Sequence, residues 1–154
     1  MKTIVGFEGL ASFPMRFIGR GIFDKLEEKY PGQFRFERYA WSETPPIKSA
    51  DMRLIICHSF GVRGAIDLAK RCKSAGMDNF HLMLLDPRMP PCATSPDAPK
   101  NVDTVSFYRT GLMSGRVCGG ATNYKLPSSV GHTEVPFHSD VFAMVEKLLG
   151  LEEK

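Results

Sequence analysis

The sequence predicts an α/β protein of three layers, α/β/α, with about six mostly parallel strands, and three observations carry that expectation. Short apolar runs alternate along the chain with stretches whose apolar residues return once per helical turn. Runs such as Thr3-Ile4-Val5-Gly6-Phe7 and Leu54-Ile55-Ile56-Cys57 are apolar on both faces, as strands buried between helix layers are. Strand and helix alternating in this way predict a parallel sheet with right-handed crossovers and helices on both faces.

Thr3–Phe7 reads as the first strand, followed by a turn of small residues, Glu8-Gly9-Leu10-Ala11-Ser12. From Phe13 to Tyr30, Ile18, Ile22, Leu26 and Tyr30 fall one per turn, and Pro31-Gly32 stops the helix. Gly19 and Gly21 weaken that pattern and suggest a start near Gly21. Gln33–Trp41 alternates aromatic and charged residues, which marks a second strand near a sheet edge. Ser42–Ser49, with Pro45-Pro46, is loop.

Leu54–Cys57 is the third and most apolar strand, and a helix follows from about Phe60 to Lys73. Phe80–Leu85 is the fourth strand. It ends at Asp86-Pro87, where the proline forces Asp86 toward extended geometry. Residues 87–101 carry Pro87, Pro90, Pro91, Pro96 and Pro99 and read as one long loop. Val102–Tyr108 is the fifth strand, Gly111–Gly120 a glycine-rich loop and Asn123–Leu126 a short sixth strand. Pro127–His138 is loop again, with His132 at its middle. Ser139 can cap a last helix whose apolar face is Phe142, Val145 and Leu149.

Composition narrows the class. A chain of 154 residues, 43% hydrophobic and 24% charged, is one globular domain with a core of its own, spanning 1–154. The net charge of +3 is mild and its densest cluster, Lys70, Arg71 and Lys73, lies on a helix's polar face, so no nucleic-acid partner is expected. No apolar stretch approaches the roughly 20 residues of a membrane span. The first residues lack the layout of a signal peptide, and Cys57, Cys72, Cys92 and Cys118 fit no zinc spacing. A reducing, cytoplasmic setting is expected.

In open parallel sheets, functional residues gather at the carboxyl ends of the strands. Ser59 and Asp86 both fall there, on consecutive strands. An apolar strand, a sharp turn at Ser59 and a helix starting at once form the context of a nucleophile elbow. Serine is a poor nucleophile at neutral pH and needs a general base, which in turn needs an orienting acid. The chain offers them in the order Ser59, Asp86, His132. Each also has a plain structural role open to it: a helix cap for Ser59, a bracing Asp-Pro turn for Asp86, a surface loop for His132. His58 is a rival base whose side chain should point away from Ser59 around the turn. His81 and His138 read as structural or exposed.

The stretch Leu54-Ile55-Ile56-Cys57-His58-Ser59-Phe60-Gly61 resembles the nucleophile strand and elbow of lipase-like and thioesterase-like α/β-hydrolases. Leu84-Leu85-Asp86-Pro87, Lys100-Asn101-Val102-Asp103, Asn123-Tyr124-Lys125-Leu126 and Gly131-His132-Thr133-Glu134-Val135-Pro136 resemble the downstream half of small lipase-like members. The resemblance covers most of residues 1–149. It implies a minimal α/β-hydrolase sheet without two early strands or a cap domain, and a serine esterase, lipase or thioesterase that needs no metal or other cofactor. Ser59 then matches the nucleophile, His132 the base and Asp86 the acid. The backbone N–H of Phe60 and one from the turn at Leu10 match the oxyanion hole.

Two positions depart from the pattern. Cys57 stands where G-x-S-x-G has its first glycine, and the acid follows the fourth strand, whereas Tyr108-Arg109-Thr110, after the next one, holds no carboxylate. The expected substrate is a small acyl ester or thioester in an open pocket, with Leu112 and Met113 among its apolar contacts. A non-catalytic module that keeps the elbow is the alternative. A flavodoxin-like nucleotide binder fits poorly, because Gly6-Phe7-Glu8-Gly9 is no phosphate loop.

Overall fold

A computed structural model describes residues 1–9, 12–48, 50–87, 97–109, 117 and 119–151. Six strands form one sheet: β1 Lys2–Phe7, β2 Phe34–Tyr39, β3 Met52–His58, β4 His81–Leu85, β5 Asp103–Tyr108 and β6 Thr122–Lys125. Their order is β2-β1-β3-β4-β5-β6 and every neighbouring pair is parallel. The charged strand β2 lies at an edge, as its alternation requires, while β1, β3 and β4 fill the middle. The expected α/β class is therefore the observed one.

Period-2 alternation sorts the central strands into two cores. Ile4, Leu54, Ile56, Met83 and Leu85 face one helix layer, where they meet Ile18, Ile22, Leu26, Val141 and Val145. Val5, Ile55, Cys57, Leu82 and Leu84 face the other, against Val62, Ala65, Leu68, Ala69 and Cys72. The second layer is helix α3, Val62–Ser74, and the first holds α4, Ser139–Leu148. Among the described residues no helix is long and apolar enough to cross a membrane.

Three local expectations change. The helix after β1 is not continuous: α1 covers Ser12–Met15, a π-helical turn Gly19–Phe23 and α2 Asp24–Lys29. In the wide turn the Asp24 N–H reaches the Gly19 carbonyl. Gly21 is there for contact rather than for flexibility. A Cβ on it would stand 2.5 Å from the Pro136 carbonyl oxygen, so the glycine lets that backbone pack against the turn. Pro136 belongs to a 3-10 helix, His132–Phe137, where the sequence reads as loop. Finally, α4 is capped by His138, not Ser139: the His138 imidazole Nδ1 accepts from the Asp140 N–H at 3.1 Å. The ring nitrogen does what a serine hydroxyl would have done one residue later.

β1 and α3 meet at a contact that shapes the end of β3. Any Cβ at Gly61 would fall 2.4 Å from the Phe7 carbonyl oxygen, and one at Gly64 would fall 2.8 Å from the Phe7 ring. Gly61→Ala is therefore expected to destabilise the fold by about 1–3 kcal/mol through overpacking against a rigid strand end. Arg63→Ala, on the exposed side of the same helix, should stay within about 0.5 kcal/mol. Urea unfolding midpoints compare the two, and equal effects would refute the close-contact argument.

Candidate functional site

The sheet register sets Ser59 beside Asp86, and His132 joins through Asp86; among the described residues no hydrogen bond links the Ser59 hydroxyl to His132. His58 pairs with Leu85 across β3 and β4, so the next residues, Ser59 and Asp86, leave adjacent strand ends side by side. Both have left-handed backbones, Ser59 at φ 59° and Asp86 at φ 44°, so Asp86 does not take the extended geometry that Pro87 predicts. Non-glycine residues rarely adopt this conformation, and it costs roughly 1–3 kcal/mol unless the surroundings impose it. At Ser59 the chain turns through a 3-10 segment, Ser59–Gly61, straight into α3. This is a strained strand-to-helix elbow with the serine at its apex.

Cys57, in place of the elbow's first glycine, is fully buried between the sheet and α3. Burial pushes its thiol far above the usual cysteine range, so it packs as a small hydrophobe and is no competing nucleophile. Asp86 is 0% exposed. Its own N–H is held by the Phe107 carbonyl at 2.7 Å, which ties the end of β4 to β5.

His132 opens the 3-10 helix, and its imidazole Nδ1 is hydrogen-bonded to the Asp86 Oδ2. With the carboxylate accepting, Nδ1 carries the proton and Nε2 is left as the acceptor, the tautomer a general base needs. The turn that presents the ring is tied locally: Glu134 Oε1 accepts from the Gly131 N–H at 2.9 Å, and the Glu134 N–H donates to the Gly131 carbonyl at 3.0 Å. Glu134 is thereby a loop brace, not an acid for His132.

Two neighbours of this pair are not evident from the sequence. Arg109, just beyond β5, donates from Nε to the same Asp86 Oδ2 at 2.7 Å. A cation thus stands where an acid was sought, and it pairs with the acid one strand over. His58 is the second neighbour. Its ring stacks on His132 with centroids 4.6 Å apart and planes at 27°, and its Nε2–H donates to the His132 carbonyl at 2.9 Å. Only the alternation of β3 could have hinted at this, since His58 shares a face with Leu54 and Ile56 and hence with the layer that holds α4.

A second buried carboxylate lies at the end of β1. Glu8 is 0% exposed and accepts from the Ile18 N–H at 3.0 Å and the Gly19 N–H at 3.4 Å, with Arg38 Nη1 at 3.5 Å. It fixes the start of the helical segment at Ile18 and Gly19. Of the other predicted contacts, Phe60 is half-buried directly after the elbow serine, with the Trp41 ring 6.5 Å from its own. Leu10, Leu112 and Met113 lie outside the described residues. A groove of about 720 Å³ has Phe107, Leu126 and Met144 among its lining residues, and neither Ser59 nor Asp86 lines it. Among the described residues no group of three or more metal-ligating side chains converges.

Burial raises the Glu8 carboxyl above its ordinary value of 4.5, against the pull of the two N–H donors and Arg38. The folded chain then holds this proton to a higher pH than the unfolded chain, so stability falls as pH rises from about 4.5 through the raised value. Glu8→Gln should flatten that decline, measured as urea midpoints from about pH 4 to about pH 7. An unchanged slope would show that Glu8 does not titrate in this window. Comparison with protein-family models, with curated proteins and with solved structures found no match for the chain.

Proposed function

We propose that the chain is a serine hydrolase of the esterase, lipase or thioesterase kind. The observation that carries this reading is the strained Ser59 at the elbow, one strand from an Asp86 already bonded to the His132 Nδ1. Functional sites are where such backbone strain accumulates. The strand-to-helix setting of Ser59 supports the hydrolase resemblance independently of the histidine.

In this mechanism the Ser59 Oγ attacks the acyl carbonyl carbon while His132 Nε2 takes the hydroxyl proton. Asp86 holds the ring in the tautomer that leaves Nε2 basic and stabilises the imidazolium as it forms. The Phe60 N–H, at the start of the helical turn, donates to the developing oxyanion; the hydrolase resemblance assigns a second donor to Leu10, which lies outside the described residues. The imidazolium returns its proton to the leaving alcohol or thiol, giving an acyl-enzyme. Water, deprotonated by the same Nε2, then attacks the acyl carbon and releases the carboxylic acid with Ser59 restored. Aromatic rings lie close to residues of the elbow: Trp41 beside Phe60, and Phe17 edge-on to His58. They suit an apolar acyl group.

One observation favours a second reading, a non-catalytic module that keeps the elbow. The Arg109–Asp86 ion pair gives Asp86 a structural reason to be buried. A fluorophosphonate probe separates the two. Under the hydrolase reading wild type is labelled and Ser59→Ala is not; a folded wild type that stays unlabelled would rule that reading out. Asp86→Asn should lower p-nitrophenyl ester turnover by about 10³–10⁴-fold, since the histidine loses its orienting acceptor. Turnover near wild type would remove Asp86 from the triad.

A further inference from the structure

We infer that His58 is a positioning residue for His132, holding the proposed base by ring face and backbone together. The inference rests on the hydrolase reading for its kinetic consequence, though not for its geometry. His132 comes from a connection, not from a strand, and it lies 46 residues beyond its partner Asp86. A hydrogen bond at Nδ1 alone fixes one edge of the imidazole and leaves rotation about that bond free. His58 removes this freedom. Its ring covers one face of His132 at 4.6 Å and its Nε2–H grips the His132 carbonyl at 2.9 Å, so side chain and main chain are both held.

His58 can do this because it is itself immobile. It is the last residue of β3, paired with Leu85, and 1% exposed, and the Phe17 ring stands edge-on to it at 5.7 Å. A carbonyl only accepts, so the bond to His132 assigns the Nε2–H tautomer to His58. Covalent connection adds the functional consequence. His58 directly precedes Ser59, so the strand that aims the nucleophile also holds the base, and the two cannot drift apart independently. A misplacement of about 1 Å at such a base costs on the order of 10²-fold in rate.

Three variants dissect the brace. His58→Phe keeps the stacked face and loses the donor, His58→Gln keeps a donor and loses the face, and His58→Ala loses both. The rate of fluorophosphonate labelling at Ser59 should fall by about 10²-fold in His58→Ala, with intermediate losses in the other two. In ester turnover the loss should appear in kcat with KM little changed. Separately, NMR of histidine-labelled protein should show the His132 Nδ1 proton sharp in wild type and broadened in His58→Ala. Should the alanine variant fail to fold, the phenylalanine and glutamine variants carry the same two measurements. Variants that fold and match wild type in labelling rate and in the Nδ1 signal would overturn the inference. An unlabelled wild type whose Nδ1 signal still depends on His58 would sink the hydrolase reading and leave the brace standing.

Discussion

The Phe7 carbonyl oxygen and the bare Cα of Gly61 are in contact where β1 ends and the elbow turns, and the geometry of Ser59 depends on that contact. β1 and β3 are neighbours, with Phe7 registered against Cys57. The chain leaving β3 must therefore pass over the end of β1 before α3 can begin. With Gly61 against the carbonyl and Gly64 against the ring, the helix starts close to the sheet, and the two residues between Cys57 and Phe60 must reverse direction. Ser59 absorbs the reversal in its left-handed φ. The strain of roughly 1–3 kcal/mol is small beside the burial of Ile55 and Ile56, each contributing about 1.5–3 kcal/mol. Packing on both faces of β3 thus holds a conformation that the local chain would not choose.

Electrostatics at the same sheet edge follows a repeated pattern. Glu8 ends β1 and meets Arg38 of the neighbouring β2; Asp86 ends β4 and meets Arg109 just past the neighbouring β5. Both carboxylates are fully buried, so neither is held by solvent. For Glu8, burial outweighs its partners and the carboxyl is raised. Such pairs contribute little net stability, because desolvation offsets the attraction, yet losing one partner is costly. Their value here is directional. Each arginine fixes a carboxylate beside the elbow, one steering the segment after β1 and the other steering His132.

How far the sequence reveals this depends on whether a feature is local. The central strands are legible because a parallel strand buried on both faces must be apolar throughout, and β1, β3 and β4 are. Ser59 is legible because an elbow sets strand, turn and helix next to one another along the sequence. Asp86 is legible as a strand terminus with a proline behind it. Arg109 and His58 are not, since what matters about each is its partner: Asp86, one strand over, for Arg109, and His132, 74 residues away, for His58. The π-helical turn escapes for the same reason. Gly19 and Gly21 look like helix weakness until Pro136, more than a hundred residues later, is seen to lie against Gly21. His138 as a cap was hidden by an adjacent serine of better intrinsic preference, because imidazole Nδ1 can also accept from the second helical N–H.

The two glycine contacts, Gly61 on Phe7 and Gly21 on Pro136, play matching parts on opposite sides of the sheet. One seats the helix that follows Ser59, the proposed nucleophile; the other seats the 3-10 helix that opens with the proposed base. Val135, buried in the same core as Ile22 and Leu26, adds an apolar anchor between His132 and Pro136. The connection bearing His132 is thereby fixed along its length: at Gly131 by Glu134, at His132 by Asp86 and His58, at Val135 by the core, and at Pro136 by the π turn. A histidine required only to be soluble would not need four separate attachments. Under the proposed hydrolase reading a general base would, because an error at any of these points moves the ring as a whole.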